Sequence, residues 1–465
     1  MSRALHERIK NLIIFILIVS GILQVGILLG YQSQWTPTNF IWGLINRPPQ
    51  ISDEEAISRL FTPSRLILSN GVILYIIHKE DDVYQKLWDE TQNDLRSLAN
   101  GTVSLKSSNE NWDDLILKKG IIIDVGYPMT PELLKWFLDV PKMNMDIPDI
   151  LKVMINPDIM DPDTGVIYIC DSNEKVYESG TFTFGPELNF ENVYASVSGN
   201  ERYRSYTTLK GANIADTLKA PGDILFVNSP PKYWPYYEYR DTIPERAEKD
   251  DEFARDVLGT EKDRYIISRN RDMTQYEYGN NIYRFYADGC LTYQNLDEAD
   301  TSIKEGMGSA LLNAYKFIDK INQLSDSAAD IMLTNIEPDK VNQGIYNISF
   351  DYYLNGMPVK FGPDVRAGNG DQLAHAINIQ ADGKKVLKCE WLLKDFAQSA
   401  KGNYNDRFVE LMNTTKHGYD KIKINNVITG YFIKSAGDQK LMPMMLIELK
   451  DKSMVEIEMP VEKGD

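Results

Sequence analysis

The chain has 465 residues, of which 43% are hydrophobic and 25% are charged, and these fractions are typical of folded protein rather than of a disordered chain. Its 50 Lys and Arg residues and 67 Asp and Glu residues give a net charge of −17, which excludes a general nucleic-acid binder because phosphate contacts need a basic face. Three widely separated cysteines and four scattered histidines form neither a CxxC motif nor a zinc-ligand spacing, so we expect no metal site and no cofactor.

The strongest local signal is at the N-terminus. Residues 1–10 contain three basic residues, Arg3, Arg8 and Lys10, and one acidic residue, Glu7. Residues 11–30 contain no charged residue. A helix of this length is about 30 Å long, the thickness of the hydrocarbon core of a bilayer. No Lys or Arg follows in residues 31–46, so the positive-inside rule predicts a cytoplasmic tail at 1–10, a transmembrane helix at 11–30 and an extracytoplasmic remainder. A cleaved signal peptide is the alternative, but its apolar region would be shorter and no A-x-A-like site follows here.

The predicted transmembrane helix carries a candidate partner face. Gly26 and Gly30 form a small-xxx-small pair, and Gln24 is a lone polar side chain. Glycines at this spacing allow two helices to approach closely, and a glutamine in hydrocarbon favours a hydrogen-bonding partner. We predict that these three residues contact the membrane helix of a partner. The alternative is that glycine is simply common in membrane helices.

The extracytoplasmic part is predicted to begin with a stalk at residues 31–55, which is rich in proline, followed by an N-terminal α+β domain at 56–148. The signals in this domain are the turn Asn70-Gly71 between two short strands, a helix over 81–100, a strand over 117–125 and a helix that starts at Thr130-Pro131.

A middle α+β domain is predicted at residues 149–299 and a C-terminal α+β domain at 300–465. The middle domain shows a hairpin about residues 171–173, a short strand at 224–228, a helix from Pro244 to about residue 258 and a three-stranded meander over 273–295. The C-terminal domain shows a long amphipathic helix at 303–324 followed by a meander, then a shorter helix at 405–412 followed by a second meander. This recurrence predicts an internal duplication.

Together the patterns predict an α+β fold, with one N-terminal transmembrane helix and an extracytoplasmic multidomain body of antiparallel sheets, each covered by helices. Helices of ten to fifteen residues do not alternate with single strands along this sequence. A doubly wound parallel sheet and a TIM barrel are therefore disfavoured.

An aromatic run over residues 230–239 is the main candidate for a binding surface. Its aromatic members are Tyr233, Trp234, Tyr236, Tyr237 and Tyr239. Aromatic faces stack on sugars, so the run could bind a cell-wall glycan. The alternative, which we favour, is a packed irregular loop whose rings fill a gap between domains.

Three carboxylates, Asp158, Asp161 and Asp163, precede a strand and resemble part of a calcium loop. A calcium loop needs oxygens at regular alternate positions and a terminal bidentate Glu. Pro162 interrupts the run, and no Glu lies at the required offset. A solvated turn is the favoured interpretation.

No catalytic motif stands out in the sequence. There is neither a G-x-S-x-G elbow nor a glycine-rich phosphate loop. Cys389 alternates with apolar residues, a pattern typical of a packed side chain rather than of a thiolate nucleophile. We therefore expect no enzymatic activity. A wall hydrolase with two carboxylates stays open as an alternative, because so many acids make sequence pairs uninformative.

At this point the layout resembles the YycH family, the extracytoplasmic regulatory proteins that accompany the WalK cell-wall sensor kinase. The resemblance rests on HERIKNLII before the apolar segment, LFTPSRLILS at 60–69, IYRFYADGCLTYQN at 282–295, ISFDYYLNGMPVKF at 348–361, and the strands ITGYFIK and LMPMMLIELKD near the C-terminus. The chain departs from the family pattern at Met444, where an aromatic residue is usual. YycI proteins share the C-terminal architecture but are much shorter, so the length favours YycH.

The resemblance implies a function without catalysis. Its members are anchored by one membrane helix, associate with a sensor histidine kinase of the WalK type and with a YycI-like single-span protein, and set the activity of the kinase. For this chain, it implies a regulator of cell-wall metabolism that acts through transmembrane and extracytoplasmic contacts. An extracytoplasmic module that binds cell-wall glycan or peptide is the alternative.

Overall fold

The computed structural model describes residues 51–185, 190–200, 202–227, 232–249, 251–258, 265–299, 306–366, 370, 372–414, 423–434, 440–450 and 453–461. The predicted cytoplasmic tail, the predicted transmembrane helix with Gln24, Gly26 and Gly30, and most of the predicted stalk lie outside the described residues. Within those ranges, no helix combines the length and the apolar character needed to cross a membrane.

The helices in the described ranges are short, with two exceptions of sixteen residues each. They are α1 Asp53–Leu60, α2 Tyr84–Ala99, α3 Trp112–Leu115, α4 Pro131–Leu138, α5 Phe190–Ser198, α6 Ala215–Leu218, α7 Thr242–Lys249, α8 Asp251–Leu258, α9 Met307–Asn322 and α10 Phe408–Thr414. Helix α1 begins inside the predicted stalk, because Ser52 caps it by accepting the Glu55 N–H at 3.1 Å. Thr130 caps α4 in the same way, as the sequence predicts.

The strands among the described residues form three sheets. They are β1 Arg65–Asn70, β2 Leu74–Ile77, β3 Leu105–Ser107, β4 Lys119–Met129, β5 Ile150–Pro157, β6 Thr164–Cys170, β7 Val176–Ser179, β8 Phe182–Thr183, β9 Ser205–Thr208, β10 Leu225–Val227, β11 Lys232–Arg240, β12 Ile266–Arg269, β13 Met273–Tyr278, β14 Asn281–Tyr286, β15 Cys290–Asn295, β16 Asp330–Pro338, β17 Ile345–Leu354, β18 Met357–Phe361, β19 Ile377–Asp382, β20 Val386–Leu392, β21 Asp395–Tyr404, β22 Ile424–Ile433, β23 Lys440–Leu441, β24 Pro443–Leu449 and β25 Met454–Glu458. The fold is therefore α+β.

The first sheet is antiparallel and has ten strands in the order β10-β9-β2-β1-β4-β5-β6-β7-β3, with β8 on β6. The predicted domain boundary at 148/149 separates β4 from β5, yet these strands are paired, with Ile121 opposite Ile155. Strands β9 and β10, assigned from sequence to the middle domain, extend the same sheet beside β2. Alternation of apolar residues shows that a strand exists but not which strand it pairs with.

The second sheet has twelve strands in the order β12-β13-β14-β15-β20-β19-β17-β18-β22-β24-β25, with β16 on β17. It crosses the predicted boundary at 299/300, because Leu291 of β15 lies opposite Trp391 of β20. The two predicted meanders of the C-terminal region are joined by a parallel pair, in which Val359 of β18 lies opposite Tyr431 of β22. Helix α9 packs on β17, β19 and β20.

Helix α9 also connects the two large sheets. Its core face buries Met307, Leu311, Ala314, Ile318 and Ile321, the spacing that the sequence predicts. On the side of the first sheet it contacts α1 and α4. Gly308 lies directly against the indole of Trp136 in α4, where a Cβ atom would collide with the ring. The main hydrophobic core is consequently continuous from Ile51 to Met459.

Candidate functional site

The aromatic run forms strand β11, the centre of the third sheet, which has the order β21-β11-β23. The prediction of an irregular loop is therefore wrong, although the prediction of packed rings agrees with the structure. Trp234, Tyr237 and Tyr239 are buried, and Tyr236 is half-buried. The side chain of Tyr233 lies outside the described set. The buried faces of Trp234, Tyr237 and Tyr239 are unavailable for stacking on sugar.

Trp234 belongs to a buried polar cluster between the first sheet and the C-terminal half. Its indole Nε1–H donates to Asp406 Oδ2 at 2.9 Å. Arg204, just before β9, forms a two-pronged ion pair with the same carboxylate and lies 4.8 Å from the centre of the Trp234 ring. The Asp406 side chain has no solvent exposure. Beside this cluster, Phe226 of β10 packs on Phe408 of α10.

Of the other rings of β11, Tyr237 packs towards the second sheet and Tyr239 packs within the third. Tyr237 meets Tyr431 of β22 edge to face at 5.4 Å, and the Tyr431 hydroxyl donates to the Pro235 carbonyl at 2.7 Å. The ring of Tyr239 contacts Phe396 of β21. The run is thus a structural junction between sheets.

A cleft of about 1070 Å³ opens between the first sheet and the second. One wall comes from α1, β1, β2 and the region around β10. The opposite wall comes from α9, β16, the β17–β18 hairpin, β22 and β24. This volume is at the upper end of the range for small-molecule sites and is large enough for a peptide segment. No single motif of the sequence marks it, because its lining is drawn from residues 59–448.

The basic side chains of the cleft are largely neutralised by neighbouring acids. Seven acidic and five basic side chains line it. The ion pairs are Arg59–Asp319, Arg65–Asp124, Lys152–Asp223 and Lys360–Asp351, the last with a carboxylate that lies behind the wall. Among the described residues, four lining acids and one lining base form no ion pair, namely Glu80, Glu174, Asp330, Glu448 and Lys79. The cleft therefore presents uncompensated negative charge.

Asp330, at the start of β16, shows how the walls affect this charge. It stays accessible to solvent at the cleft surface. Burial among the surrounding groups nevertheless raises the pKa of its carboxyl above the ordinary value, and nearby Lys79 only partly offsets the effect. A cationic ligand group would stabilise the ionised form.

A second polar cluster lies at the β17–β18 side of the cleft. Asp351 is buried and accepts hydrogen bonds from Lys360 Nζ at 3.0 Å and from the Ala376 N–H at 3.1 Å, while His375 Nδ1 lies 3.3 Å away. Burial alone would raise the pKa of Asp351, but His375 and Lys360 outweigh it and hold the pKa below the ordinary value. Thr334 Oγ1 is 3.3 Å from the same Nδ1 atom. Asp351 and Thr334 thus share one ring nitrogen, which is not the arrangement of a nucleophile–histidine–acid relay.

Two further features shape the cleft. Tyr84 lines it, and its buried hydroxyl has no hydrogen-bond partner among the described residues. At the turn between β17 and β18, Gly356 has φ +73° and lies against the imidazole of His78 from the opposite wall, where a Cβ atom would collide. The walls therefore touch at this turn.

The other residues singled out from sequence lie away from the cleft. Asp158, Asp161 and Asp163 are in the exposed turn between β5 and β6, where the first two accept nearby backbone N–H groups. Cys170, Cys290 and Cys389 are buried, and none of these three forms a disulfide. Burial raises the pKa of the Cys389 thiol, which disfavours a reactive thiolate. In the part of the chain that the structure describes, no group of three or more His, Cys, Asp or Glu side chains could hold a metal ion.

No protein-family model matches the sequence, and no curated protein matches it. The fold does match a solved structure. It is similar to the crystal structure of YycH from Bacillus subtilis, with a TM-score of 0.53 and 11% identity, over 89% of this chain and 98% of that one. An uncharacterized protein from Eubacterium rectale is similar over 48% of this chain, with a TM-score of 0.30 and 10% identity. The resemblance to YycH expected from the sequence is thus confirmed at the level of fold.

Proposed function

We propose that this protein is a membrane-anchored, extracytoplasmic regulator, without catalytic activity, of a sensor histidine kinase of the WalK type. The observation that carries the proposal is the YycH fold, which extends over nearly the whole of that structure and most of this chain. The short motifs at 60–69, 282–295 and 348–361, on which the resemblance to YycH rests, lie in or beside strands of this fold and support the same assignment.

The proposed anchor is the uncharged segment at residues 11–30. Its length suits a bilayer, and the basic residues before it favour a cytoplasmic N-terminus. This arrangement would place the sheets and the cleft outside the membrane. The proposed contacts with the kinase and with a YycI-like single-span protein are made through this helix and through the extracytoplasmic body.

The polar groups of the body favour binding over catalysis. Arg65, Lys152 and Lys360 are each engaged by a carboxylate, and His375 is held by Asp351. Charges that neutralise one another stabilise a surface more readily than they activate a nucleophile.

The test is isolation of the tagged full-length protein from the membranes of its own host in mild detergent, with identification of the proteins that accompany it. We expect a sensor kinase and a second single-span protein. The G26I/G30I variant should lose both, because bulky side chains prevent close helix approach. Gly21, on the opposite side of the proposed helix by the 3.6-residue period, provides the matched control G21I, which should retain both proteins. Recovery of neither protein with the unaltered chain would contradict the proposal.

A further inference from the structure

We propose that the cleft between the first and second sheets binds an extended, basic peptide segment, which pairs as an added strand with the free edge of β22. This inference concerns a ligand of the extracytoplasmic body and does not depend on the proposed regulation of a kinase.

The first observation is the unpaired part of β22. The Ile433 carbonyl accepts the Gly362 N–H at 2.8 Å, so Ile433 directs its backbone groups towards β18. Backbone groups alternate in direction along a strand, and those of Tyr431, Thr429 and Val427 therefore point to the same side. The register with β18 covers only Tyr431–Ile433. Among the described strands, none pairs with this side of β22 before Tyr431.

The second observation is where this free edge lies. Residues 425–429 of β22 all line the cleft. The Val427 N–H is accepted by the side chain of its neighbour Asn426 at 2.9 Å, as expected where no strand supplies a carbonyl. An extended peptide supplies a complementary row of carbonyl and N–H groups, which is the basis of recognition by strand addition.

The third observation is charge. Asp330 and Glu448 line the same cleft without an ion pair among the described residues, and Glu448 follows Ile447 in β24, the strand that pairs with β22. Both carboxylates line the same cleft as residues 425–429 of β22, so a bound peptide with Lys or Arg side chains would be favoured. The buried Tyr84 hydroxyl, which also lines the cleft, offers a further hydrogen bond to a bound main chain.

The experiment measures fluorescence anisotropy of labelled eight-residue peptides with the full-length protein in a non-ionic detergent. One peptide alternates threonine and lysine, the second alternates threonine and glutamate, and the third is the lysine peptide with every threonine amide N-methylated. We expect saturable binding of the lysine peptide and at least about tenfold weaker binding of the other two. N-methylation removes the main-chain donors of one edge without changing the charge.

Variants locate the site. The D330N/E448Q double variant should weaken binding of the lysine peptide about tenfold, because two charge contacts are lost. The matched control is E337Q, an exposed acid of β16 that does not line the cleft, and it should leave binding unchanged. Failure to saturate at 1 mM peptide, equal binding of the N-methylated peptide, or equal effects of D330N/E448Q and E337Q would each overturn the proposal.

Discussion

Asp406, before α10, accepts a hydrogen bond of 2.9 Å from Nη2 of Arg204, which lies 202 residues earlier in the chain. The second nitrogen of the same guanidinium pairs with the other carboxylate oxygen, and Trp234 adds a third donor. Arg204 precedes the edge strands of the first sheet, whereas Asp406 belongs to the C-terminal half. A buried ion pair therefore ties the two halves together beside the cleft.

The first prediction concerns this ion pair. Asp406→Asn removes the carboxylate charge that the buried Arg204 guanidinium faces in this pair. Loss of one partner of a buried pair typically costs about 3–5 kcal/mol, and we expect the free energy of unfolding to fall by that order. Chemical denaturation followed by tryptophan fluorescence measures it. The control is Glu410→Gln in the exposed pair with Arg407, for which no measurable change is expected. Equal effects of the two substitutions would contradict the structural role of Asp406.

The second prediction concerns the contact between the cleft walls at Gly356. Gly356→Ala places a methyl group against His78 and also forces alanine into the left-handed region. We expect a loss of stability of about 2–4 kcal/mol, from the backbone cost and the collision together. Gly279→Ala shares the positive φ, but nothing lies within 4 Å of its Cβ, so it should lose only about 1–2 kcal/mol. Thermal unfolding of both variants measures these losses of stability. Equal losses for Gly356→Ala and Gly279→Ala would contradict a stabilising contact between the walls at Gly356.

The third prediction concerns Asp94 of α2, a buried carboxyl with one unpartnered oxygen. Burial, with Glu90 nearby, raises the pKa of Asp94 to about 7. Because the folded pKa lies above the unfolded one, ionisation opposes folding, and the penalty grows as the pH rises from about 4 to about 7. Asp94→Asn should therefore raise stability at pH 8 by up to about 4 kcal/mol and leave it unchanged at pH 4.

Melting temperatures at pH 4, 6 and 8 test the Asp94 prediction. Asp89→Asn, at an exposed position of the same helix, is the matched control and should show no pH-dependent gain. If Asp94→Asn raises the melting temperature as much at pH 4 as at pH 8, the effect does not come from ionisation of Asp94.

The fourth prediction has the opposite sign and concerns Asp351. Its pKa is held below the ordinary value in the folded protein, so its ionised form contributes stability above the unfolded pKa, and that contribution is lost as the pH falls through the folded pKa. Asp351→Asn should destabilise the protein at pH 7 by about 3 kcal/mol, since Lys360 loses its counter-charge. The difference in free energy of unfolding between this variant and the unaltered protein should become smaller below about pH 4. Denaturation at pH 7 and pH 3 measures both values, and a difference that does not narrow would contradict the ion-pair account.

Helix caps, turns and the buried faces of helices could be predicted from the sequence. Thr130 caps α4, Asn70-Gly71 lies in the predicted turn between β1 and β2, and the apolar spacing of α9 defines its buried face. These features depend on residues a few positions apart.

Strand neighbours and the cleft could not be predicted, because they depend on residues far apart in the chain. Both predicted domain boundaries fall between strands that pair with each other in the structure. A local sequence pattern predicts that a strand exists, but it does not predict which strand lies beside it. The aromatic run, predicted as an irregular loop, is a strand that contains Pro235. Pro235 lies opposite Lys401 of β21. On its other side, β11 pairs with β23 only at Tyr237 and Glu238, so no described strand needs a backbone donor from Pro235 there.

The regulatory proposal is tested most directly by the activity of the kinase itself. The sensor kinase recovered with the full-length protein would be reconstituted in lipid nanodiscs with and without it, and the initial rate of autophosphorylation measured with labelled ATP. We predict that the protein changes this rate, that G26I/G30I abolishes the change, and that G21I retains it. An unchanged rate at saturating protein would contradict the proposal that the chain regulates the kinase.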